Sequence, residues 1–128
     1  MEILITEGVE IRVNTIFRAD LSSIENDSFF FNYEIFIENH NPFPIQLLHR
    51  NWYIFDSMND ANIVSGEGVI GELPILKPYE TYTYMSGCEL FSELGFMKGY
   101  YTFKNLSTGV NFHALIPKFQ LAYPPRLN

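Results

Sequence analysis

Apolar and polar residues alternate along most of this chain, at the two-residue period that turns one face of a strand to a core and the other to water. Val9, Ile11, Val13, Thr15 and Phe17 alternate with Glu10, Arg12 and Asn14, which predicts a half-buried first strand. Phe29, Phe31, Tyr33, Ile35 and Ile37 share one face of a second strand, with Asn32, Glu34 and Glu38 on the other. Residues 45–55 form the third and most central strand, which carries the sole tryptophan, Trp52. A short strand at Ile63 and Val64 follows, then strands over 73–76 and 82–88. Residues 100–103 and 112–116 read as a last hairpin turning near Ser107, Thr108 and Gly109, and Phe119, Leu121 and Tyr123 alternate in the tail before Pro124 and Pro125. The stretches 20–28, 39–44 and 56–62 are turns or loops by their Asn, Asp, Ser and Pro content. Residues 94–99, with Gly95 and Gly99, read as a loop packed over one end. Strands spaced by roughly ten residues, with no persuasive helix, predict an all-β fold. The architecture expected is a fibronectin-III-like or immunoglobulin-like antiparallel β-sandwich without a disulfide, with a closed barrel as the alternative.

Composition narrows the class. At 128 residues, 47% hydrophobic and 18% charged, the chain is expected to be one globular domain with a real core. Twelve Phe and eight Tyr favour strands, where rings pack across a pleated face. The net charge of −7 repels phosphate backbones and anionic lipid, so neither nucleic acid nor a membrane is expected as a partner. One cysteine excludes an internal disulfide and suits a reducing compartment. The first residues, Met1 to Glu7, lack a basic region and a leader-length apolar run, and no apolar stretch approaches the roughly 20 residues of a membrane span. A cytoplasmic location is the expectation.

The richest stretch for chemistry is 65–78. Gly66, Gly68 and Gly71 have the GxGxxG spacing of a dinucleotide loop, which needs a helix behind it. Here Pro74 and Pro78 forbid that helix, and Tyr82 and Tyr84 then alternate as in a strand. The glycines therefore belong between strands. The candidate binding surface is Gly66, Glu67, Gly68, Gly71 and Glu72, with Arg50, Ser86 and Gly87 as neighbours. A protein partner is the expected ligand. Phosphate or pyrophosphate would bind there only weakly: backbone N–H groups and Arg50 attract an anion, while Glu67, Glu72 and the net charge repel it. Cys88 could act as a nucleophile only with His49 or His113 in reach as a base. His40, His49 and His113 lack metal-ligand spacing; Asp56, Asp60, Glu67 and Glu72 read as solvated charges, with a weak magnesium or cobalt site of an ion-homeostasis factor as the alternative. No catalytic residue, metal site or cofactor is expected. Arg50 and Trp52 share a strand face, so a core-facing Trp52 obliges Arg50 to find a carboxylate or leave at the sheet end.

Residues 46–56 (QLLHRNWYIFD), 66–76 (GEGVIGELPIL), 84–90 (YMSGCEL), 97–101 (MKGYY) and 116–119 (IPKF) resemble, in order, the motifs of the ApaG family. The resemblance spans about Val9 to Leu127. It implies a fibronectin-III-like sandwich and a small bacterial protein linked to cobalt and magnesium tolerance or efflux. It also implies an interaction module, because the same domain is attached to eukaryotic F-box proteins and to a polymerase-delta-interacting protein. Two positions depart from the family's pattern: Tyr79 stands where glycine is usual, and Met85 where Thr or Val is usual.

Overall fold

The computed structural model describes residues 1–127. Among the described residues nine strands run in chain order: β1 (Glu2–Thr6), β2 (Val9–Phe17), β3 (Phe29–Asn39), β4 (Ile45–Asp56), β5 (Asn62–Glu67), β6 (Ile75–Leu76), β7 (Thr81–Leu90), β8 (Leu94–Asn105) and β9 (Asn111–Ala122). One sheet has the order β1-β2-β3-β7, the other β5-β4-β8-β9, with β6 also paired to β4. Every pairing is antiparallel, so the protein is the all-β sandwich that the alternation predicts. Among the described residues no helix is long and apolar enough to cross a membrane.

The core lies between the two inner faces. Ile11, Ile35 and Ile37 from the first sheet and Leu47, Tyr101 and Phe103 from the second are fully buried. Trp52 sits at the centre, with ring centroids 5.4 Å from Tyr33, 5.9 Å from Phe119 and 6.4 Å from Tyr101, all edge-to-face. A buried amide fixes one end: Asn39 Nδ2 donates to the carbonyls of Phe43 (2.9 Å) and Leu76 (3.1 Å), tying the turn after β3 to β6.

Four details differ from the expectation. β5 runs from Asn62 to Glu67, so Gly66 lies within a strand and not between strands. Residues 94–99 are the start of β8 rather than a loop. The glycines there serve close packing: a methyl on Gly95 would stand 2.2 Å from the Phe55 carbonyl oxygen, and one on Gly99 2.0 Å from that of Asn51. Residues 112–123 are not a short strand and a separate tail. They belong to β9 as far as Ala122, and an extra residue opposite Met97 and Gly99 bulges the strand near Pro117. That bulge moves the inward positions from Ala114 and Ile116 to Phe119 and Leu121. Finally, the N-terminal run forms edge strand β1, joined to β2 by a two-residue turn with both Glu7 (φ 50°) and Gly8 (φ 73°) left-handed.

Candidate functional site

The glycine stretch hangs from a bulge in β4. The β4–β8 register slips between Leu47 and His49, which leaves Leu48 as the extra residue. Its carbonyl accepts the Gly68 N–H at 2.7 Å. Beyond the bulge the even-numbered residues face inward, so Trp52 enters the core and Arg50 points the same way. Arg50 is half-buried and, among the described residues, pairs with no carboxylate. Its Nη1 donates to the carbonyls of Glu67 and Gly68, both at 2.9 Å, and clamps the end of β5. Gly66 lies opposite Arg50 in the ladder, where a methyl would come within 2.8 Å of the guanidinium. A side chain there would push the guanidinium off its two carbonyls.

The chain then reverses in two residues. Val69 and Glu72 exchange both backbone hydrogen bonds at 2.9 Å, and Ile70 (φ 47°) and Gly71 (φ 73°) form a type I′ turn between them. Gly68 is left-handed too, and a methyl there would meet the Glu72 carbonyl oxygen at 2.1 Å. The N–H groups of Gly68, Val69 and Glu72 are thus all engaged by carbonyls. An anion-binding concavity needs such groups free and convergent. The Glu72 carboxylate accepts the Tyr82 hydroxyl at 2.7 Å, and burial together with this contact pushes the Tyr82 phenol up to about 12.

Inside the clamp lies a tyrosine cluster with no counterpart in the motif reading. The Tyr84 and Tyr101 hydroxyls bond to each other in the core. Burial raises the pKa of both phenols and of Tyr33, and the Arg50 charge only partly offsets it. Ser86, on the inward face of β7, favours the Tyr33 phenolate and joins this group. The structure therefore brings Arg50, Gly66, Glu67, Gly68 and Ser86 to one region. Gly71 is at the exposed tip, and Gly87 faces out of the other sheet against the Phe30 ring.

Other candidate chemistry is dispersed. Cys88 is buried on the inner face of the first sheet, and burial pushes its thiol up to about 11. His49 and His113 are exposed on the outward face of the second sheet, turned away from the thiol. Asp56 is not a solvated charge: it is buried and accepts from the Phe91 N–H (2.6 Å) and the Ser92 hydroxyl, tying the end of β4 to the loop between β7 and β8. Among the described residues one group could take a metal ion, Glu10, Glu38 and His40, whose ligand atoms lie within 4.8 Å of one another. Motif spacing misses it because Glu10 and Glu38 meet only through the β2–β3 register. Arg12 Nε, 3.2 Å from Glu10 Oε2, already supplies the group with positive charge.

Fold and site together define an antiparallel β-sandwich whose second sheet ends in an arginine-clamped glycine hairpin. The ApaG domain profile matches residues 19–105. Protein ApaG of Pseudomonas aeruginosa is 40% identical over 120 residues, covering 94% of each chain. Protein ApaG of Sinorhizobium fredii is 36% identical, covering 94% of this chain and 92% of its own. The crystal structure of the putative ApaA protein from Bordetella pertussis superposes with a TM-score of 0.87 at 33% identity, over 91% of this chain and 94% of that one. The chain belongs to the ApaG family.

Proposed function

We propose that the protein is a non-catalytic interaction module that presents its glycine hairpin to a protein partner. The observation that carries this reading is Ile70. It is β-branched, left-handed and 61% exposed, at the tip of a turn whose geometry favours Asn or Gly. Such a residue destabilises the folded chain and offers its side chain to water, a combination that accumulates at functional surfaces. Tyr79 repeats it at the other end of the stretch, left-handed (φ 67°) and 70% exposed, with its N–H held by the Asn39 carbonyl at 2.6 Å. Tyrosine thus occupies a left-handed position that glycine would take without strain. Affinity capture from extract of the source cells, quantified by mass spectrometry, tests the reading. Proteins retained by the wild type and lost from Ile70→Asp support it, and an identical set retained by both overturns it.

Anion and ion readings rank lower. Pyrophosphate would find the N–H groups of Gly68, Val69 and Glu72 already engaged by carbonyls, and the one metal-capable group among the described residues has Arg12 beside it. Calorimetry with pyrophosphate and with ATP should therefore give affinities no tighter than millimolar, about −4 kcal/mol. Micromolar cobalt or millimolar magnesium should leave the melting temperature unchanged, since a ligand of the native state must raise it. A cobalt-dependent rise abolished by His40→Ala would instead promote the link to metal tolerance.

A further inference from the structure

The outer face of the five-stranded sheet carries a second surface, separate from the glycine hairpin. A groove of 470 Å³ crosses it, walled by Tyr53, Ile63, Lys98, Tyr100, Leu115 and Lys118, with Gly99 in the floor. That volume lies in the range of ligand-binding clefts. Ile63 is 79% exposed and Leu115 48%, so the apolar walls face water. The charge on this face opposes that of the whole molecule. Of the chain's four lysines, Lys98, Lys104 and Lys118 lie here, and the one carboxylate on its outward strand positions is Glu67 at the margin. The outer face of the other sheet carries Glu10, Glu34, Glu38 and Glu89. A chain of net charge −7 thus sets two of its four lysines, Lys98 and Lys118, in the wall of one apolar groove.

We propose that this groove docks an acidic peptide segment of a partner protein, a large apolar side chain entering over Gly99 and flanking carboxylates meeting Lys98 and Lys118. Charge complementarity of this kind selects the partner and speeds its arrival. A nucleic acid fits less well, because the ring faces it would stack on are occupied. Phe96 packs against Phe55 at 5.0 Å and carries the Lys118 ammonium at 4.1 Å, while Lys98 covers Tyr53 at 5.2 Å. The outward strand positions hold no arginine for bidentate phosphate contacts.

The probe is a short synthetic peptide that alternates Glu or Asp with Leu and Phe, titrated into nitrogen-labelled protein and followed by amide NMR shifts. The expected result is shifts at Tyr53, Lys98, Gly99, Tyr100 and Leu115, none at Ile70, and affinity that weakens with salt. Lys98→Glu with Lys118→Glu should weaken binding about tenfold or more, and Ile63→Asp should weaken it without touching a lysine. Ile70→Asn should bind the peptide unchanged, which separates failure of this groove from failure of the hairpin reading. No shifts at these amides, equal binding of a lysine-substituted peptide, or stronger binding of a single-stranded oligonucleotide there would each overturn the proposal.

Discussion

Trp52→Ala is expected to remove roughly 3–5 kcal/mol of stability. Trp52 is 3% exposed and touches rings from both sheets, Tyr33 on one side and Tyr101 and Phe119 on the other. Truncation leaves a cavity where the sheets meet, and close-packed strands on both sides resist collapse into it. Urea unfolding followed by circular dichroism measures the loss. Wild-type tryptophan emission should be shifted to the blue of the free indole. Emission typical of water-exposed tryptophan, or a loss below about 1 kcal/mol, would contradict the placement.

Stability should also collapse in alkali, for a reason seated in the same core. Burial pushes the Cys88 thiol from 9.0 to about 11 and raises the Tyr33, Tyr84 and Tyr101 phenols. In the folded state these groups hold their protons more tightly than in the unfolded chain. Their contribution is therefore complete below the unfolded values and is lost as pH rises through the folded ones. For Cys88 the window runs from 9.0 to about 11 and is worth on the order of 2–3 kcal/mol. The tyrosines extend the loss to higher pH. Urea midpoints should be level from neutrality to about pH 9 and fall steadily above it. Tyrosinate absorbance should appear for the buried phenols in one step with unfolding. Cys88→Ala should move the start of the decline upward. Buried phenols that ionise near pH 10 without loss of structure would contradict the argument.

The alternating residues showed most of the strands, because a half-buried pleat imposes its period directly on the chain. What they could not show was where that period breaks. Leu48 and the β9 bulge near Pro117 each shift the inward face by one residue; nothing in the Leu48 side chain announces its bulge, whereas Pro117, which cannot donate to a ladder, is itself a mark of one. The bulge at Leu48 decides the site, since its carbonyl anchors Gly68. Gly95 and Gly99 look like loop residues but lie within β8, because a glycine that admits a neighbouring carbonyl and one that permits a turn look alike in sequence. The glycine stretch was legible as a non-helical surface element, and Pro74 and Pro78 sufficed for that. Its clamp was not. Arg50 satisfies its charge on two backbone carbonyls, which every residue carries and no side-chain pattern marks. The Tyr33–Tyr84–Tyr101 cluster and the Glu10–Glu38–His40 group depend on register between distant segments, which spacing along one strand does not encode.

The most direct test of the hairpin as a partner surface separates stability from binding in a single variant. Ile70→Asn fits the left-handed turn better than isoleucine and should raise stability by about 1 kcal/mol. It also removes the exposed apolar tip. Measured side by side on wild type and Ile70→Asn, the urea midpoint should rise while retention of the captured partner falls. Retention that survives a raised midpoint, or a midpoint that falls together with retention, would contradict the claim that Ile70 is held out in water for another protein.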